Sequence, residues 1–252
     1  MGITTTVVEL AHALEGLITP VDCAGCGAVD TPLCDECSQA CYAPLHRVDH
    51  DARYVTGLIP VWAISRYAGT TRRVVLAYKN HRRRNIAAII HDAARSAGDQ
   101  WIGAGASDAD NVRHVADHLG AGGTLVMVPA PSGQLRRLQR RLVAADLARA
   151  FGQGIAAGGA VRTRRRSVAV CTADVLRRSL FSAAHLAGRG ALEREAVRSG
   201  SVRLREGLEE DDVVVIVDDV ITTGATLAAS YRCLKDAGVR VAGALVLAAT
   251  PG

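Results

Sequence analysis

A chain of 252 residues, 49% hydrophobic and 22% charged, can bury a full core and suits one α/β domain plus a small appendage. No apolar run approaches the roughly 18 residues of a membrane helix and no signal-peptide pattern opens the sequence, so a cytoplasmic protein with no membrane anchor is expected. The net charge of +5 gathers at Arg72/Arg73, Lys79 to Arg84, Arg136 to Arg141 and Arg162 to Arg166, clusters that suit nucleic acid, a substrate with several phosphates or a solvated face, while 4% aromatic residues leave few platforms for stacking single-stranded bases.

The first predicted element is a short amphipathic helix with Val7, Leu10, Ala11, Leu14, Leu17 and Ile18 at helical spacing, ended by Pro20. Cys23-Ala-Gly-Cys26 and Cys34-Asp-Glu-Cys37 follow. Each C-x-x-C pair offers two thiolates from a tight turn, with Gly25 and Gly27 easing the geometry, so Cys23, Cys26, Cys34 and Cys37 together predict a tetrahedral structural zinc site. Disulfides are disfavoured in a cytoplasmic chain, and a redox C-x-x-C would need a strand-to-helix junction. Cys41 is a spare or substitute ligand and His46 a weaker one, whereas Cys171 and Cys233 fall in apolar patterns and are expected to be buried.

Leu58 to Tyr67 reads as a strand, broken by Gly69-Thr70. Thr71 to Tyr78 reads as a helix in which Val74, Val75, Ala77 and Tyr78 alternate with arginines. Asn85 to Ala97 is a second helix with an apolar face, and Gly98 to Gly123 a variable region without evident chemistry. Thr124 to Gly133 is a buried strand closing in the turn Ala130-Pro131-Ser132. Arg136, Arg137, Arg140 and Arg141 come next, then a helix through Phe151. Ser167 to Thr172 is a short strand, and Ala173 to Gly207 a long segment of low apolar regularity.

Val213 to Val217, with nothing polar among them, predict a strand buried on both faces, and Asp218 and Asp219 stand where it should end. Thr222, Thr223, Gly224, Ala225 and Thr226 form a small-residue loop before a helix over Leu227 to Lys235. Strand, acidic pair, Thr/Gly turn and helix N-terminus describe a phosphate site, in which free N–H groups and the helix dipole face an anion, Gly224 permits close approach and the hydroxyls donate further hydrogen bonds. The carboxylates cannot hold phosphate, so they would serve sugar hydroxyls or a magnesium ion beside it. Gly238 caps the helix and Val239 to Ala248 is a final strand.

Val217-Asp-Asp-Val-Ile-Thr-Thr-Gly-Ala-Thr226 resembles the PRPP-binding signature of type I phosphoribosyltransferases. The cysteine pairs, Tyr67-Ala-Gly and Leu76-Ala-Tyr-Lys79 narrow the resemblance to the ComF/GntX group, linked to competence and DNA uptake, although the lysine and aromatic stand in altered order. The resemblance implies an α/β fold, a type I phosphoribosyltransferase-like doubly wound parallel sheet, over residues 51–252, behind an N-terminal helix and zinc-binding module over residues 1–50. It implies Asp218 and Asp219 on the ribose hydroxyls and Mg²⁺ of PRPP, Thr222 to Thr226 on the 5′-phosphate, and Ala130, Pro131 and Ser132 on the pyrophosphate. Lys79, Arg140 and Arg141 are anion-binding candidates, although Arg140-Arg-Leu-Val-Ala-Ala145 keeps the group's arginines and loses its glycine and amide. Residues 173–207 correspond to the hood over the active site, where Arg177-Arg-Ser179, Ser182-Ala-Ala184 and Arg189 occur without the group's asparagine. The implied activity is transfer of a 5-phosphoribosyl group to an unknown acceptor. The alternative is a non-catalytic accessory of DNA uptake that binds single-stranded DNA or a competence helicase.

Overall fold

The computed structural model describes residues 21–79, 84–103, 123–131, 143–158, 162–163, 166–167, 169–178, 202–205 and 207–251. The predicted N-terminal helix, Ser132, Arg140, Arg141 and the body of the hood lie outside them.

Central to the sheet is β9 (Val213–Ile221), flanked by β10 (Arg240–Ala249) and β3 (Thr124–Pro129). Beyond β10 come β2 (Val61–Arg66) and then β1 (His46–Arg47), and beyond β3 lies β6 (Ala169–Thr172), making six strands in the order β1-β2-β10-β9-β3-β6. All neighbours pair in parallel except β1 with β2. The unbroken valine run has a direct cause: Val213, Val215 and Val217 enter one hydrophobic cluster while Val214 and Ile216 enter the other, so both faces of the strand are covered.

One face carries α2 (Gly69–Lys79), α3 (Ala87–Ile102) and α4 (Val143–Ala157), which follows β3. Here Trp62 and Trp101 are both almost wholly buried and meet edge to face, their centroids 5.7 Å apart, a geometry that adds about 0.5–1.5 kcal/mol to the burial of their rings. α3 and α4 approach so closely that a Cβ on Gly98 would strike the Phe151 carbonyl, and one on Gly154 the Arg95 carbonyl. The helix predicted to stop at Ala97 therefore runs on to Ile102: Gly98 is a contact point within it, and Trp101 and Ile102 complete its buried face.

The other face carries α5 (Ala225–Asp236), residues 48–59 and a hairpin of β7 (Leu176–Arg178) with β8 (Val202–Leu204). This hairpin gives regular ends to the segment that sequence pattern leaves irregular. A second two-stranded ribbon, β4 (Arg162–Thr163) with β5 (Arg166–Ser167), stands apart from the main sheet. The expected α/β architecture with a mostly parallel sheet and helices on both faces is what the chain forms. The burial expected of two cysteines is not found. Cys171 is exposed, because β6 is a sheet edge and its residues alternate outward, and Cys233 on α5 is only half-buried.

Candidate functional site

Two clusters of chemically active side chains stand out among the described residues. In the first, the short helix α1 (Asp35–Gln39) begins just after Cys34 and carries Cys37 inward, while a turn around Gly27 (φ 86°) carries Cys23 and Cys26. The sulfurs of Cys23, Cys26, Cys34 and Cys37 all lie within 4.8 Å of one another. Cys23 Sγ is 3.7 Å from Cys34 Sγ, and Cys26 Sγ is 3.6 Å from Cys34 Sγ. A tetrahedral ion with Zn–S bonds of about 2.3 Å sets its sulfurs about 3.8 Å apart, whereas a disulfide needs about 2.05 Å, so the donor set fits a metal and not a cross-link.

The surroundings agree. Burial pushes the Cys23 thiol up, but backbone N–H groups of Cys26, Cys34 and Gly25 outweigh it and bring it down to about 6. Burial and the neighbouring thiols push Cys37 far above the usual thiol range, the response of sulfurs crowded together. Gly25 has no room for a Cβ, which would lie 2.6 Å from both Cys37 Sγ and Thr70 Cγ2, and its carbonyl accepts a hydrogen bond from Arg73 Nε on α2. Cys23, Leu33, Cys37 and Cys41 belong to the same apolar cluster as Val74 and Val75 of α2, so the cysteine loop is seated on the main core. Cys41 stays outside the sulfur cluster, its thiol directed at the Cys37 carbonyl, and His46 lies in β1.

The second cluster lies at the C-terminal ends of β3 and β9, where ligands of parallel α/β sheets bind. β9 runs four residues past the predicted valine run, so Asp218 and Asp219 lie within the strand and the turn starts at Thr222. The Asp219 N–H donates to Asp218 Oδ1 at 2.8 Å. Lys79, the last residue of α2, places its ammonium 2.9 Å from Asp219 Oδ2. Burial, and next the Asp219 charge, raise the Asp218 carboxyl to about 7.

Gly224, at φ 79°, is the N-cap of α5, which starts at Ala225 rather than Leu227. No side chain caps it, so the first N–H groups of the helix point outward without an intrahelical partner. The turn is held from behind: Tyr54 N–H donates to the Thr223 carbonyl at 3.1 Å, and Val55 and Ala52 pack so near that a Cβ on Gly224 would sit 3.0 Å from Val55 Cγ1. Across the crevice, the Ala130 N–H donates to the Val217 carbonyl at 2.7 Å, fixing the turn that follows β3 beside the acidic pair.

Arg178 joins the two turns. Its Nε donates to the Pro131 carbonyl at 3.1 Å and its Nη2 to Thr226 Oγ1 at 3.3 Å. The sequence shows two adjacent arginines and does not say which faces the crevice; strand alternation separates them, with Arg177 bonded to Asp174 at 2.8 Å. The structure thus gathers Lys79, Ala130, Pro131, Asp218, Asp219 and residues 222–226 into one crevice, and adds Arg178 and the buttress at residues 52–55.

No curated protein matches the chain. A family model described as a phosphoribosyl transferase domain matches residues 144–252, the stretch that contains α4, the β7–β8 hairpin with Arg178, the acidic pair and the turn into α5.

Proposed function

We propose that this crevice binds Mg-PRPP and that the chain is a ComF/GntX-type phosphoribosyltransferase-like protein that transfers the 5-phosphoribosyl group to an acceptor. The observation that carries the reading is the junction of β9 and α5: two carboxylates, one of them paired with Lys79, lead straight into an uncapped helix N-terminus. The outward N–H groups of residues 225–227 and the Thr226 hydroxyl suit the 5′-phosphate, with the helix dipole adding about 0.3–1 kcal/mol. Asp218 and Asp219 accept hydrogen bonds from the ribose hydroxyls, which fixes the sugar with its C1 toward the β3 turn. Pro131 and Arg178 border the position of the pyrophosphate, where the guanidinium stabilises the charge that grows as the C1–O bond breaks, the acceptor bonds to C1 and its proton is lost. Mg²⁺ bound with PRPP would supply positive charge to its phosphates, with Asp218 and Asp219 as the carboxylates able to hold it.

The cysteine cluster is assigned a structural Zn²⁺ held by Cys23, Cys26, Cys34 and Cys37, all four positions being filled by protein. No described helix is long and apolar enough to cross a membrane.

Isothermal titration with Mg-PRPP tests the crevice. Wild type should bind, and the double substitution Asp218→Asn with Asp219→Asn should weaken binding at least about 100-fold, or about 2.7 kcal/mol. Equal affinity in the two proteins would defeat the assignment.

A further inference from the structure

A hydrogen-bonded pair of aromatic side chains stands beside Lys79 and takes no part in the proposed transfer. Tyr78, on the last turn of α2, is only 4% exposed, and its hydroxyl oxygen meets Nε2 of His91 on α3 at 2.8 Å in a hydrogen bond. The two rings also meet edge to face, with centroids 5.7 Å apart and planes at 82°. A directed hydrogen bond and a ring contact together leave the tyrosine one orientation. Burial, and after it the charges of Asp146 and Asp219, push the Tyr78 hydroxyl above its usual range, and burial brings His91 down, so the pair is uncharged near neutral pH. Among the described residues, the charges that act on His91 are Asp146 and Arg149 of α4, paired with each other, and Arg95 of α3, paired with Asp92.

Lys79 follows Tyr78 directly. Successive residues of an α-helix diverge by about 100°, so with Tyr78 turned inward onto α3 the next side chain faces the end of β9, where its ammonium reaches Asp219 Oδ2 at 2.9 Å. A lysine's long stem has much rotamer freedom to lose in holding one oxygen, so the ion pair depends on where its Cα is held. The ion pair in turn governs the acidic residues together, because the Lys79 charge opposes the burial and the Asp219 charge that raise the Asp218 carboxyl.

We infer that Tyr78 and His91 are positioning residues of the crevice: the His91 imidazole holds the Tyr78 ring, and the ring holds the end of α2 so that Lys79 stays on Asp219. Neither residue touches the ligand. What the crevice binds rests on the Mg-PRPP reading; where Lys79 is held does not.

Two readouts on the full chain separate these parts. One is titration with Mg-PRPP, and the other is the pH midpoint of the Asp218 carboxyl, about 7 in wild type, followed by NMR without ligand. Lys79→Ala marks the full effect, with affinity at least about tenfold lower and a midpoint above that of wild type. Tyr78→Phe removes only the hydroxyl and His91→Leu only its partner, and neither alters the charge near neutral pH. Each should lower affinity by a few-fold to about tenfold, the range for one neutral hydrogen bond, and raise the midpoint part of the way. Should His91→Leu fail to fold, Tyr78→Phe carries the test. Adding Lys79→Ala to either should weaken binding no further than Lys79→Ala alone, because the pair acts through that lysine. Losses that multiply in the double variants would mark a merely structural role and overturn the inference, as would wild-type affinity and midpoint in Tyr78→Phe or in Lys79→Ala. Midpoints that move as expected in a protein that does not bind Mg-PRPP would overturn the crevice reading and leave the positioning role standing. Mg-PRPP binding with affinities and midpoints unmoved in the variants would overturn the positioning role alone.

Discussion

The cysteine cluster and the acidic crevice solve one electrostatic problem in opposite ways. Each crowds groups of like charge: four sulfurs within 4.8 Å in one, and two neighbouring carboxylates in the other. In the first, every position around the centre belongs to the protein, two of the sulfurs are buried, and the loop is seated on the main core through Cys23, Leu33 and Cys37. In the second, Lys79 is the one cation paired with a carboxylate of the pair among the described residues, and the helix N-terminus beside it is left uncapped. A closed set of donors suits a permanent ion that holds structure; a half-satisfied set with outward N–H groups suits a ligand that comes and goes.

Removing one donor from the closed set gives the largest expected effect. Zinc binding supplies on the order of 10–16 kcal/mol in small metal-dependent domains, so Cys23→Ser should cost several kcal/mol and lower the thermal midpoint markedly. Elemental analysis of wild type purified without added zinc should find about one equivalent of metal, and the variant less; a metal-free, fully stable wild type would remove the contrast between the two sites.

A smaller effect is expected in the crevice from Gly224→Ala. At φ 79°, with Val55 Cγ1 only 3.0 Å from the new Cβ, the substitution should cost about 1–3 kcal/mol and weaken Mg-PRPP binding roughly tenfold, read by denaturation and titration. Undiminished ligand binding would separate the turn from phosphate recognition.

The smallest effect concerns pH. Because the Asp218 carboxyl is raised to about 7 in the fold, the native state holds a proton that the unfolded chain releases near the ordinary carboxylate pKa. That contribution to stability is present at low pH and is lost as pH rises from the carboxylate range to about 7. Ligand binding that needs the carboxylate should run the other way, with Mg-PRPP affinity rising over the same window and a proton released on binding. Asp218→Asn should flatten both trends; a pH profile of stability identical to that of wild type would show that Asp218 does not carry them.

Local pattern made much of this readable. Val213 to Val217 announced a strand buried on both faces, and the turn after it fell where the loop residues said it would. The two C-x-x-C pairs announced four cysteines whose sulfurs the fold brings together. What pattern missed is long-range. Gly98 looks like a helix end in sequence and is a helix contact, because the carbonyl that needs its missing side chain belongs to Phe151 on another helix. Lys79 showed only as one cation in a basic run, and its meeting with Asp219 spans 140 positions of chain. Arg178 could not be told from Arg177 before the β7–β8 pairing fixed which side chain faces Pro131 and Thr226. Cys171 looked buried because an apolar run does not reveal that its strand is a sheet edge.

Hydrogen exchange with mass spectrometry, with and without Mg-PRPP, tests the central claim most directly, because it reads the N–H groups to which the phosphate is assigned. Protection is expected to concentrate at residues 222–228, and the cysteine loop at residues 23–37 should exchange as before. Binding of Mg-PRPP that leaves residues 222–228 unprotected would contradict the assignment.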